Sequence, residues 1–437
     1  MSYLPKELNF GDLPPVLDSS VRSTTINILP SNNKASFTVG DIIDFDFPKQ
    51  GFIDGKSVYL SYQANVTNGT GATNYMFCTP FCAALGRVEE SCKSGTLQLN
   101  TIPQYNQLYN DIVQLKYSVA DKYGNQVGLG FKNDNTNPKF DGRLLTASTA
   151  AKFFMSAPLY GLMLTNSEKF VSMDHLGGYR IKIYIENSLD KIFSNVAATT
   201  GVSAFTISNI QLTCDLVDVS SELSNMLRSQ PYIIKTSTYA LATQPVPTGS
   251  NGSLQLSYAN NFSSLKHVLI HPSGSTSCTN KAFDAVDITA DNDNIISETA
   301  PKGGSYQIQV GNIVYPQVPL NSGTNRAQIY QELKKAVGIL YGNNNLSINS
   351  VEFNYGTDSV AVTSTTEPGK FILAVDTSRI SATSSNLLNG ISTKNTPINL
   401  LLNMAEATAE ACTVTLMMNY DVLINVDPVN NQVSLSV

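Results

Sequence analysis

Three histidines, His175, His267 and His271, are the strongest metal-ligand and proton-transfer candidates in this 437-residue sequence. His267 and His271 are spaced H-x-x-x-H, which on a helix turns two imidazoles to one face, ready for zinc. The glutamate of the H-E-x-x-H arrangement is missing, because Val268 stands there. The surrounding SSLKHVLIHP reads as strand, where four residues span about 13 Å, too far for one ion. The histidines are therefore expected at the surface or on a sheet edge. Three histidines also leave little room for a serine triad, and neither G-x-S-x-G nor G-x-G-x-x-G occurs.

The other constellations fail on spacing. Cys78, Cys82 and Cys92 form C-x3-C-x9-C with no histidine nearby, and they read as ordinary core or loop residues. Together with Cys214, Cys278 and Cys412 they are too sparse for a disulfide framework, so reduced thiols are expected. Asp284, Asp287, Asp291 and Asp293 lie in FDAVDITADND, but Ile295 and Ile296 break the EF-hand pattern, leaving a solvated acidic loop. Gly51 to Ser57, GFIDGKS, has three residues between its glycines where a P-loop has four, and a strand follows. It reads as a turn. No catalytic, cofactor-binding or metal residue is assigned, no cofactor is implied, and the chain is expected not to be an enzyme.

The elements that would position any site are strands. Val58, Leu60, Tyr62, Ala64 and Val66 alternate with polar neighbours, as do Tyr179, Ile181, Ile183 and Ile185. Ile210, Leu212, Cys214 and Leu216 repeat the pattern, and so do Tyr306, Ile308 and Val310. Period two marks strands with one buried face. TVTLMMNYDVLINV, from Thr413, reads as a long, mostly apolar strand pair. Clusters such as NGTGATN, TGSNGS and YGNNN separate these runs, so the class is all-β, a sandwich or barrel. Two stretches read as helices, QYNQLYNDIVQLKY (Tyr105, Leu108, Ile112, Leu115) and AQIYQELKKAVGIL (Tyr330, Leu333, Val337, Leu340). One apolar stripe each predicts packing on a sandwich, with the polar face toward solvent or neighbours.

The order of elements occurs twice. IIDFDF and KSVYLSYQ match SLQLSY and SSLKHVLI; TLQL, before the first helix, matches SYQIQV, before the second. The duplication divides the chain into an extended N-terminal arm (1–19, with Pro5, Pro14 and Pro15), a first sandwich (20–225) and a second (226–437). Hydrophobic residues at 42% supply full-sized cores. Charged residues are only 14% against a usual ~25%, so Asn, Ser, Thr, Gln and Tyr must make the polar surface. A net charge of −6, with Lys334–Lys335 the only adjacent basic pair, argues against nucleic-acid binding as the main task. No apolar run reaches the ~18 residues of a membrane helix, and MSYLPKELNFGDLPP lacks a signal-peptide layout. Synthesis in the cytosol is expected.

FTVGDIIDFDFPKQGFIDGKSVYLSYQANVT, KFFMSAPLYGLMLTNSEKFVSMDHLGGYRIKIYIEN and FTISNIQLTCDLVDVSSEL resemble the strands of the first jelly roll in double jelly-roll major capsid proteins of tailless icosahedral DNA viruses. SYQIQVGNIVYPQVPLNSGTNRAQIYQELKKAVGIL is similar to the strand, loop and helix of the second jelly roll in polinton-like and virophage members. That lineage also includes tectivirus capsid proteins and the adenovirus hexon. The resemblance is one of pattern and order over most of residues 20–437. It implies two tandem eight-stranded jelly rolls with a short helix in each, and a homotrimer forming a pseudo-hexagonal capsomer. It also implies an icosahedral shell around the genome, with penton and minor capsid proteins as partners and sometimes an internal membrane. Localisation in the virion follows. The competing reading is a two-domain β-sandwich adhesin or glycan-binding module; the absence of Trp, the usual sugar-stacking residue, weighs against it.

Overall fold

The computed structural model describes residues 21–69, 74–76, 80–117, 126–130, 144–145, 150–167, 170–195, 202–219, 231–274, 304–321, 326–338, 348, 353, 371–378, 389–404, 408, 411–430 and 432–437. The arm, Cys78, Cys278 and the acidic loop from Asp284 to Asp293 lie outside them.

Eight strands build the first half: β1 (Val21–Ile28), β2 (Ile42–Asp46), β3 (Tyr59–Asn68), β4 (Leu85–Cys92), β5 (Leu97–Pro103), β6 (Ala150–Pro158), β7 (Tyr179–Ile185) and β8 (Val202–Val219). Eight more build the second: β9 (Tyr232–Val246), β10 (Gly252–Tyr258), β11 (Leu265–Gly274), β12 (Ser305–Val310), β13 (Ile313–Asn321), β14 (Leu373–Asp376), β15 (Ile398–Met404) and β16 (Cys412–Asp427). All pair antiparallel. The first half has sheets in the order β1-β8-β3-β6 and β2-β7-β4-β5. The second has β9-β16-β11-β14 and β10-β15-β12-β13. Adding eight to each label of the first half reproduces the second, and among the described residues no sheet mixes strands from the two halves. Short strands pair with the long central ones, Phe52–Ile53 with β8 and Gln432–Ser436 with β16.

Side-chain alternation explains the strands. In β7 and β12 every second residue is buried, Tyr179, Ile181, Ile183 and Ile185 in one, Tyr306, Ile308 and Val310 in the other. β16 is different, being buried along most of its length on both faces. It is a single 16-residue strand, where the sequence suggested a pair. It is the central strand between β9 and β11, and on its outer face Asn419 lines a cavity with Ile112 and Leu115 of the first half, so alternation gives way to a continuous buried run.

Two helices occupy equivalent places. α1 (Tyr105–Lys116) lies between β5 and β6, and α2 (Arg326–Ala336) between β13 and β14. The first two strand matches drawn from the sequence hold, as β2 with β10 and β3 with β11. The third shifts by one, because β12 corresponds to β4, and β5 to β13. Local apolar patterns of adjacent hairpin strands are alike; only the pairing order separates them. α2 packs on one side as expected, but of its expected stripe only Leu333 is fully buried, beside Ile329 and Ala336; Tyr330 and Val337 are half-buried and Leu340 lies outside the described residues. α1 does not. Asn106, Gln107, Asn110, Asp111 and Gln114 are buried as well, because α1 is covered by both halves and its polar face meets protein. Among the described residues no helix is long and apolar enough to cross a membrane.

Candidate functional site: the seam between the two halves

The polar face of α1, the edge strand β5 and the 159–167 loop of the first half meet the outer face of the sheet β9-β16-β11-β14. Asp111 Oδ2 lies 2.7 Å from His271 Nδ1, and both side chains are fully excluded from solvent. Their sequence separation is large, so this contact ties α1 to β11 across the seam. Further along, the C-terminal turn of α1 brings Lys116 beside His267 and Lys266, so α1 runs antiparallel to β11.

The loop is gripped from both sides. On the second half, the Thr238 hydroxyl donates to the Gly161 carbonyl (2.9 Å) and the Thr236 hydroxyl to the Met163 carbonyl (2.6 Å). The Asn166 amide donates to the Ser237 carbonyl (2.8 Å). Gly161 sits at φ +78°, and a Cβ there would come within 3.2 Å of Leu108, so the tight approach favours glycine twice over. On the first half, Glu90 of β4 is fully buried and accepts from the Met163 and Leu164 amides at 3.0 and 3.3 Å. It also accepts from the Tyr179 hydroxyl and from Asn100 Nδ2 (3.2 Å), and the same amide reaches Thr238 Oγ1 (2.6 Å). Desolvation raises the Glu90 pKa above the ordinary carboxylate value, and these donors oppose the rise.

A carboxyl whose folded pKa exceeds its unfolded value binds more protons when folded, so its contribution to stability falls as pH rises through that interval. Glu90→Gln carries no such dependence. The stability of Glu90→Gln relative to wild type is therefore expected to improve as pH climbs from the ordinary carboxylate value of 4.5. Urea midpoints measured across that range check this; a difference independent of pH would refute it.

The residues weighed for chemistry fall into clear places. All three histidines are inside the protein or half-buried, correcting the expected surface position. His271 is fully buried, His175 donates or accepts at 2.9 Å with the Tyr232 hydroxyl, and His267 lies 3.4 Å from the Tyr239 hydroxyl. Burial and the charges of Lys116 and Lys266 push His267 down to about 3, so it is neutral near pH 7. The outer face of β11 is a seam, which the strand pattern alone does not reveal. His267 and His271 hold different partners and do not converge. Among the described residues, no group of three or more His, Cys, Asp or Glu side chains gathers.

Cys82, Cys92, Cys214 and Cys412 are buried thiols, and burial pushes Cys92 up to about 11. Gly51–Ser57 forms a short strand and a single 3-10 turn in which Asp54 accepts from the Lys56 amide (3.0 Å), with no helix following. Lys334 and Lys335 end α2, where Lys335 approaches Glu332 at 3.7 Å and Asp376 at 3.9 Å. Glu90 and Asp111 were not singled out from the sequence. Each left a trace: Glu90 stands at an inward position beside outward Glu89, and Asp111 is the lone charge on a helix face otherwise made of Asn and Gln.

No protein-family model and no curated protein matches the sequence. Solved structures do. The PBCV-1 virus capsid is similar at TM-score 0.60 and 10% identity, over 96% of this chain and 97% of that one. The Sputnik virophage structure gives 0.59 and 11% over 100% and 93%. The Faustovirus major capsid protein gives 0.57 and 10% over 95% and 93%. The chain has the double jelly-roll fold. In the double jelly roll, each half is eight strands in two facing sheets, and here both halves follow one strand order. The seam is then the line along which the two jelly rolls join, with α1 the element shared between them.

Proposed function

We propose that the chain is a viral major capsid protein whose three copies form a pseudo-hexagonal capsomer that tiles an icosahedral shell around the genome. The observation that carries this reading is similarity over nearly the full length of both chains to the PBCV-1 capsid and the Faustovirus major capsid protein. Two jelly rolls per chain give a trimer six similar walls, the shape needed to pack in a hexagonal net. Low charge density suits such walls, because like charges repel between identical copies. Exposed apolar side chains on strand edges, Phe154 on β6 and Ile313 and Val318 on β13, suit contacts between copies.

In this reading the role is structural and not enzymatic. The protein is made in the host cytosol and resides in the virion. The first jelly roll spans 20–225 and the second 226–437, with the arm 1–19 ahead of both. Partners are other copies, a penton protein and minor capsid proteins, with an internal membrane in some shells and no sequence-specific nucleic-acid contact. Purified protein is expected to run near three times its 47.2 kDa mass and to appear by negative-stain microscopy as three-fold particles with a hexagonal outline. A strict monomer at every salt concentration would overturn the proposal.

A further inference from the structure

The seam encloses a cavity of about 110 Å³, reached from solvent and lined by Lys116, Tyr160, Asn166, Tyr239, His267 and Asn419 among others. We propose that this cavity binds a small oxyanion of phosphate size, with Lys116 as its charged ligand and Tyr239 and His267 as hydrogen-bond donors. The charge balance argues for an anion. Lys266 is held by Asp421 at 2.5 Å, and Asp421 also accepts from the Ser264 hydroxyl at 2.7 Å. Among the described residues no carboxylate pairs with Lys116. Lys116 itself is exposed at the rim of the cavity, and desolvation by the surrounding protein, then the Lys266 charge, lower its pKa. Lys116 also ends α1, whose C-terminal carbonyls carry roughly half a negative charge, which offsets only part of one ammonium. A positive charge remains at the edge of a polar recess.

The recess is also chemically suited to an oxyanion. His267 is neutral, so it presents an N–H without a further charge, and its 3.4 Å contact with Tyr239 is long enough to be exchanged for a shorter bond to a ligand. Both jelly rolls supply lining residues, so a bound anion would hold them together. Phosphate is available to the protein either free or as nucleic-acid phosphodiester. A cavity of this size admits the free ion and excludes a strand.

The experiment is thermal unfolding of the full chain in sodium phosphate against sodium chloride at matched ionic strength, with wild type, Lys116→Met and Lys116→Arg. Phosphate is expected to raise the wild-type midpoint in a saturable way, to leave Lys116→Met unchanged, and to raise Lys116→Arg. An equal rise in wild type and Lys116→Met, or no rise in either, would overturn the proposal. A short single-stranded oligonucleotide is expected to give no Lys116-dependent shift; if it does, the ligand is nucleic acid and the assignment to the free ion fails. Trimer mass, read on the same samples, separates this outcome from the capsid proposal, which does not depend on it.

Discussion

Leu333→Asp is expected to yield no folded protein. Leu333 is fully buried on α2, between Ile329 and Ala336 on the same stripe. A carboxylate there would lose its water and gain no partner, and it would remove the leucine's apolar contacts as well. Penalties of this kind run to about 5 kcal/mol or more, comparable to the whole stability of an ordinary domain. Leu333→Met keeps volume and polarity and should cost under about 1.5 kcal/mol. Soluble yield and circular dichroism of the two variants decide the matter. A soluble, normally folded Leu333→Asp protein would show that this stripe does not face the core.

Asp111→Ala is expected to be the most damaging polar change. It leaves His271 buried with its seam partner gone, and breaking a buried pair by removing one member costs roughly 3–5 kcal/mol. Replacing both, as Asp111→Leu with His271→Leu, removes the carboxyl group and the imidazole together and should cost less than Asp111→Ala alone. Urea unfolding of the singles and the double gives the coupling directly. Additive losses would mean that the 2.7 Å contact does no work across the seam. Because the pair joins α1 to β11, Asp111→Ala should also make the junction more sensitive to protease than the strands within each jelly roll.

The strands were legible because a one-sided sheet writes its burial into every second residue, as in β3, β7 and β12. The helices were legible for a similar reason, through stripes at helical spacing. The place of α1 was not. Its polar face is Asn106, Asn110, Asp111 and Gln114, while α2 exposes Glu332, Lys334 and Lys335 at its surface side or flank. A solvated face tends to carry Lys and Glu; a face of amides with one acid is suited to hydrogen bonding inside a protein. That contrast was available, but its meaning depends on what lies opposite. The same holds for Glu90, whose donors come from β5, β7 and the loop at Met163 and Leu164.

The sequence by itself determined the all-β class, the two helices, the duplication and the scarcity of catalytic groups. These follow from local periodicity and composition, which act within one element. Tertiary structure decided which strand pairs with which, and so corrected the match of SYQIQV from β5 to β4. It also decided that the outer face of β11 is an interior surface. A residue's burial on a sheet's second face depends on elements far away in the chain, and those contacts leave no period in the sequence. His267, Lys116 and Lys266 acquire a common environment only when α1 is laid along β11, which is why the cavity between the jelly rolls cannot be read from either segment alone.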